Sequence, residues 1–192
     1  NAQCQPGETE VRLIIETDTY GYETFWSLVP ASNPCNQTPI ATGGNTNQVG
    51  CNGGGQRDAT TAFGYNDNAT INAGPWCLKT DSAYTLYHVD DYGDGGAKFT
   101  IMIGAYPVYQ FKSEGNGGQY NFTVTLPLAY NAALSRINTY GFNDLKPTAV
   151  HGQVFNMGAS AIDTIDLSYS VNGGAPLTET LTGLNVEPFT SA

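Results

Sequence analysis

The stretch Gln119-Tyr120-Asn121-Phe122-Thr123-Val124-Thr125-Leu126 alternates apolar and polar residues without a break. A helix would scatter those apolar residues around its circumference, whereas a strand lays Tyr120, Phe122, Val124 and Leu126 on one face and Asn121, Thr123 and Thr125 on the other. The same period recurs outward from it. Val11, Leu13 and Ile15 share one face of a strand expected over Glu10–Thr17, and further strands are expected at Glu23–Val29, Ser82–Val89, Lys98–Gly104 and Tyr106–Lys112. The first two of these read as a neighbouring pair. Between them and the rest, Pro30 to Gly74 is a long Asn-, Gly- and Thr-rich segment in which only Thr60–Tyr65 suggests a strand. Loops of that length are commonly functional or stapled.

Pro127-Leu128-Ala129 reads as a linker, and the style changes beyond it: cysteines are absent and aromatics are fewer. Strands are expected at Ala132–Ile137, Thr148–Phe155, Ile162–Val171 and Pro176–Leu181, the last two joined by a tight turn at Asn172-Gly173-Gly174. The fold class is therefore all-β. Residues 1–127 are expected to form a jelly-roll-like β-sandwich, and 131–192 an Ig-like β-sandwich. Four strand stretches fall short of the roughly seven of a complete immunoglobulin-like sandwich. The second domain is thus expected to be truncated, and to continue in the native protein or to self-assemble by borrowing a strand from a partner.

Composition excludes several function classes. The chain has 192 residues, a net charge of −10 and only seven basic residues, which are scattered, so no basic stripe exists for nucleic-acid phosphates. No run approaches the about 18 apolar residues of a membrane span. Only 12% of residues are charged while glycine and tyrosine are abundant, which suits an extracellular β-rich protein. The start at Asn1 fits a mature chain whose signal peptide has been removed. Four cysteines, none of them in a C-x-x-C pair, favour two disulfides over a zinc site.

Asp90-Asp91-Tyr92-Gly93-Asp94-Gly95-Gly96 and Asp18-Thr19-Tyr20-Gly21-Tyr22-Glu23 share one grammar, acid then Tyr-Gly then acid, each after a strand. Glycines let such a loop curl until carboxylate and carbonyl oxygens face one point, which suits a hard cation and calcium above all. A solvated acidic turn is the plainer reading of either loop taken singly. Cys4 precedes Asp18 by 14 residues and Cys77 precedes Asp91 by the same 14. Of the three possible connectivities, Cys4–Cys77 with Cys35–Cys51 is therefore preferred: equal strands running side by side would deliver Asp18, Glu23, Asp90, Asp91 and Asp94 to one end of the fold. Five unneutralised acids would repel, and a shared cation removes that cost. The helix–loop–helix calcium site does not fit, since its twelfth position from Asp90 is Ile101, inside a strand.

The order Cys4, Val11-Arg12-Leu13-Ile14-Ile15, Thr17-Asp18, Tyr20-Gly21-Tyr22-Glu23-Thr24, Trp26, Cys77, Tyr84-Thr85-Leu86 and Asp90-Asp91-Tyr92-Gly93-Asp94-Gly95 resembles a β-sandwich module of large secreted and cell-surface Bacteroidetes proteins, many exported by type IX secretion. Residues 131–192, with Val154-Phe155-Asn156-Met157-Gly158 and Leu167 to Gly174, resemble the Ig-like repeats found downstream in such proteins. The resemblance implies a non-catalytic surface module with calcium at the five acids. It departs from the pattern where Ala97 or a neighbour stands in place of a cysteine, and where a C-terminal sorting domain would be. The Asp-Ser/Thr-apolar triplets around Ser82 and Thr164 match an O-glycosylation pattern of that phylum, and Asn36, Asn68 and Asn121 head N-glycosylation sequons.

No nucleophile-elbow, zinc-protease or phosphate-loop motif occurs. His88 alternates with Tyr84 and Leu86 and reads as a packed residue; His151 has no nearby acid or nucleophile pattern. Two carboxylates could serve glycoside hydrolysis, but acids crowded among glycines suit a cation better than a protonated acid in an apolar pocket. Trp26, Trp76, Tyr65, Tyr92 and Tyr109 could stack sugars, although core packing is the commoner fate of sandwich aromatics. Tyr20, Tyr22 and Tyr92 beside the acidic loops are the better contact candidates. The expectation is an extracellular, non-catalytic, calcium-stabilised adhesion or structural module of a larger bacterial surface protein, meeting other surface proteins or glycans. A carbohydrate-binding module and an accessory domain of a secreted peptidase are the alternatives.

Overall fold

The computed structural model describes residues 4–30, 34–137 and 151–192. Its regular structure is strand, apart from three single 3-10 turns among those residues. The chain divides into two compact units, Asn1–Leu126 and Pro127–Ala192.

The first unit carries β1 (Glu8–Glu16), β2 (Thr24–Pro30), β3 (Ala41–Gly44), β4 (Thr70–Lys79), β5 (Ala83–Asp90), β6 (Lys98–Ile103), β7 (Tyr106–Lys112) and β8 (Gly117–Thr123). They form two four-stranded antiparallel sheets, ordered β4-β1-β6-β7 and β3-β2-β5-β8. Eight strands divided four and four are the build of a jelly-roll-like sandwich. Alternation explains the core. Val11, Leu13 and Ile15 from β1 and Phe99, Ile101 and Ile103 from β6 meet Trp26, Leu28, Leu86 and Phe122 from the other sheet, all buried. Each such side chain contributes about 1.5–3 kcal/mol by leaving water.

Strand β2 is buried at every residue from Thr24 to Val29, so both its faces are covered. Trp26 and Leu28 face the main core, while Phe25 joins Val89 and Val49 in a small second cluster with Cys51, Ala59 and Tyr87. The long segment after β2 is therefore the lid on the outer face of the second sheet. Cys35–Cys51 closes it (Cα–Cα 5.7 Å), and Cys4–Cys77 ties the chain before β1 to β4 (Cα–Cα 5.3 Å).

Four expectations are corrected. β1 and β2 do not pair, because the turn at 21–23 carries the chain across to the other sheet. Thr60–Tyr65 is irregular, and the strands of that region are β3 and β4 instead. Leu126 is 49% exposed, because β8 ends at Thr123 and the inward alternation stops at Val124. The expected strand from Thr148 begins at Gly152; its first three positions, 148–150, lie outside the described residues.

In the second unit β9 (Ala132–Ile137) pairs with β10 (Gly152–Asn156), and β11 (Ile165–Tyr169) with β12 (Leu177–Leu181). Between β11 and β12, Asn172 and Gly173 both take positive φ (50° and 74°) in a tight turn closed by Gly174 N–H donating to the Val171 carbonyl (2.9 Å), so the connection is longer than a two-residue hairpin. Asn156 is fully buried and fully bonded: its amide donates to the carbonyls of Ser160 (2.9 Å) and Val186 (2.8 Å) and its side-chain oxygen accepts from Gly158 N–H (2.8 Å).

Candidate metal centre

Two loops meet at one end of the first unit. After β1, the chain passes Thr17-Asp18 into a single turn, Gly21–Glu23, in which Glu23 N–H donates to the Tyr20 carbonyl (3.0 Å). A Cβ at Gly21 would collide with the Asn66 carbonyl, which explains the glycine, and Gly21 N–H donates to Asp67 Oδ1 (3.0 Å). After β5 the second loop starts at Asp90, and Asp91 N–H donates to the Glu23 carbonyl (3.0 Å). That bond fastens one acidic loop to the other. The disulfide-ruler idea thus delivers the loops to the same end, but not by neighbouring strands: β1 and β5 lie in opposite sheets.

Glu23, Asp90 and Asp94 each offer a carboxylate oxygen within 4.8 Å of the others. Glu23 and Asp90 are only 6% and 4% exposed, whereas Asp94 is open to solvent. Gly93 N–H donates to Asp90 Oδ1 (2.6 Å). Among the described residues no backbone N–H donates to the Glu23 carboxylate, which has the Tyr22 hydroxyl beside it. Burial pushes the Glu23 carboxyl up to about 7, reinforced by the charges of Asp90, Asp94, Asp91 and Asp18. Asp90 is raised too, chiefly by burial, against the pull of the Gly93 N–H. Carboxyls behave in this way when like charges share a dry site without a counter-ion.

The other two acids of the expected set have different work. Asp91 is 1% exposed, and its two oxygens accept from Arg57 N–H (3.2 Å) and Ala59 N–H (3.0 Å). Successive strand side chains point to opposite faces, so Asp91 turns away from Asp90 and pins the lid segment. Asp18 accepts from Tyr20 N–H (2.8 Å) and packs against Gly96, where a Cβ would strike its carboxylate. It stands outside the cluster but adds to the negative field on Glu23 and Asp90. Sequence reading missed Asn116, whose carbonyl accepts Asp90 N–H (3.1 Å) and whose side chain occupies the space a Cβ at Gly93 or Gly55 would need. It lies in a Gly-Asn-Gly-Gly run whose only visible signal is a turn.

Above the cluster is an open cleft of about 360 Å³ lined by Tyr20, Tyr22, Glu23, Tyr92 and Asp94. Tyr20 and Tyr92 are 49% and 46% exposed, and the Arg57 guanidinium sits 4.5 Å over the Tyr92 ring. The other four candidate aromatics, Trp26, Trp76, Tyr65 and Tyr109, are packed in or against the core. Trp26 is buried edge-on to Trp76 (5.8 Å) and donates from Nε1 to the Tyr65 hydroxyl (2.9 Å), while Tyr109 packs on Tyr120 and Phe122. His88 packs against Phe99 and Phe111, which stack on each other, shares a hydrogen bond of 2.9 Å with Ser113 Oγ, and is lowered by burial to about 4. Ser82 is half-buried at the β4–β5 turn and Thr164 is exposed.

The donor set is all oxygen, which suits a hard cation. The cluster can hold a metal ion. No protein-family model, curated protein or solved structure matches the chain. The two disulfides fit an oxidising, extracellular setting, and among the described residues no helix is long and apolar enough to cross a membrane.

Proposed function

We propose that the first unit is a calcium-stabilised, non-catalytic module of an extracellular surface protein, in an adhesive or structural role. The observation that carries this reading is the gathering of Glu23, Asp90 and Asp94, two of them buried, with the Glu23 carboxyl raised to about 7. Such a group is poised to exchange its proton for a cation. Both loops cross from one sheet to the other, and Glu23 and Asp90 stand at the ends of the paired strands β2 and β5, so a bound ion would tie the two crossings together at one end of the sandwich. Two disulfides supply the same kind of constraint elsewhere.

The test is a thermal melt in EDTA and then with added calcium, on wild type and Asp94→Ala. Both tryptophans, Trp26 and Trp76, lie in the first unit, so fluorescence reports that unit alone. Calcium at a hundredfold excess over its Kd adds about 2.7 kcal/mol, or roughly 10 °C in Tm for a unit of this size. Asp94 is exposed, so its replacement leaves the fold intact and removes the rise. Identical melts in every condition refute the reading.

A further inference from the structure

We propose that two copies of this chain associate through the free edge of β11, running antiparallel about Leu167, so that two hairpins join into one four-stranded sheet. The inference concerns the second unit and is independent of the calcium reading.

The β11–β12 hairpin has two unlike faces. Its cross-strand pairs set Ile165 with Leu181, Leu167 with Glu179 and Tyr169 with Leu177 on one side. Asp166 with Thr180 and Ser168 with Thr178 fall on the other. The polar side satisfies itself: Thr180 Oγ1 donates to Asp166 Oδ1 (2.6 Å), and the Ser168 and Thr178 hydroxyls share a bond of 2.7 Å. The apolar side does not. Leu167, Tyr169, Val171 and Leu177, with Leu134 and Ile137 of β9, are all between 37% and 64% exposed. An apolar groove of about 130 Å³ lies between the two strand pairs, lined by Leu134, Val154, Ile165, Leu167, Leu181 and Val186. The six exposed side chains amount to roughly 600 Å² of largely apolar surface, the upper end for a monomer. Two copies bring roughly 1,200 Å², the least that a stable protein interface needs.

Charge selects the edge. Among the described residues β11 and β12 pair only with each other, so each has a free edge. Natural sheets guard such edges with a proline or with a charge on the apolar face. β12 has both, since Pro176 directly precedes it and Glu179 stands on its apolar side. Two β12 edges centred on Glu179 would set carboxylate against carboxylate, which is repulsive. β11 has neither guard. Paired with its own copy about Leu167, it sets Leu167 opposite Leu167, Ile165 opposite Tyr169 and Asp166 opposite Ser168. Apolar residues meet apolar residues, a hydroxyl meets the one carboxylate, and no like charges face each other. Ile165 lines the groove, so Tyr169 of the second copy, standing opposite it, caps the groove. Such a two-fold contact uses the same patch on both copies and closes on itself. The two Glu179 side chains then lie three strand spacings apart, about 14 Å, which exceeds the screening length of about 6 Å in 0.3 M salt.

The experiment is sedimentation equilibrium of the full chain up to about 200 μM in about 0.3 M salt, where the repulsion of chains carrying −10 is screened. Cysteine cross-linking locates the contact. All four native cysteines are in disulfides, so an added one is the sole free thiol. In the centred register the two copies of residue 167 have Cα atoms about 4.5–5.5 Å apart, within disulfide reach. The expected result is a concentration-dependent dimer that Leu167→Cys locks under mild oxidation and Glu179→Cys does not. Tyr169→Lys should weaken it about a hundredfold, while Glu179→Gln changes it by no more than about twofold. Leu167 and Tyr169 are both exposed, so these replacements leave the hairpin folded, which circular dichroism checks. A chain that stays monomeric throughout overturns the inference and leaves the edge to a strand of another protein. A dimer locked by Glu179→Cys instead of Leu167→Cys, tightened severalfold by Glu179→Gln, or indifferent to Tyr169→Lys overturns it as well.

Discussion

Removing the charge of Glu23 should stabilise the metal-free protein, and the gain should depend on pH. The carboxyl belongs near 4.5 in the unfolded chain and is raised to about 7 in the folded one. Below 4.5 both states are protonated and nothing is lost. Between 4.5 and 7 the folded state holds the proton more tightly, so stability falls as pH rises through that window, and the full penalty stands above 7. The two values correspond to about 3 kcal/mol, and because the cleft is open to water, screening reduces this to about 2 kcal/mol. Glu23→Gln keeps the shape and removes the charge. In EDTA at pH 8 the variant should therefore exceed wild type by about 2 kcal/mol, or roughly 8 °C in Tm, with the two converging below pH 4.5. Tryptophan fluorescence in urea titrations at several pH values measures it. With calcium the order should invert, since wild type gains a ligand that the variant has lost. A pH-independent difference, or a variant no more stable than wild type at pH 8 in EDTA, refutes the account of buried like charges.

His88 should remain neutral down to about pH 4, read by NMR from its ring protons, and its burial should cost stability as pH falls from 6.5 toward 4, where the unfolded chain binds the proton first. Gly44→Ala should destabilise by about 3 kcal/mol in urea unfolding, because φ is +77° there and the added Cβ meets the Thr24 carbonyl in the paired strand. Loss of Cys35–Cys51 (Cys35→Ala with Cys51→Ala) should cost about 3 kcal/mol and loss of Cys4–Cys77 about 4 kcal/mol, ordered by separations of 16 and 73 residues, measured by the same unfolding.

The strands with a clean alternation and a buried face, such as Val11-Leu13-Ile15 and Phe99-Ile101-Ile103, were legible because side-chain period and burial coincide. β3 and β4 were not. Gly43 and Gly44 look like a loop, yet a Cβ at Gly43 would strike the Trp26 ring, so the glycine is there to let a buried tryptophan lie against the strand. β4 contains Asn72, Gly74 and Pro75, residues that argue against a strand; it is an edge strand, where such residues are tolerated, and it is largely exposed. The pairing of β1 with β2 failed because a short connection resembles a hairpin, and nothing local announces a change of sheet. At the site, the grammar of acid and Tyr-Gly located both loops. It did not separate Asp90 from Asp91, whose different destinations follow from strand alternation at the last rung of β5.

That last rung has a further consequence. One peptide bond joins Asp90, a member of the acidic cluster, to Asp91, the clasp of the lid segment that runs on from the Cys35–Cys51 staple through Gly55, Arg57 and Ala59. Slack in that segment is passed along the backbone to the cleft. A newly made chain with its thiols still reduced would carry every acid it needs and yet hold the cation loosely. Oxidation would then act as the maturation step, so that tight ion binding marks molecules that have reached an oxidising environment.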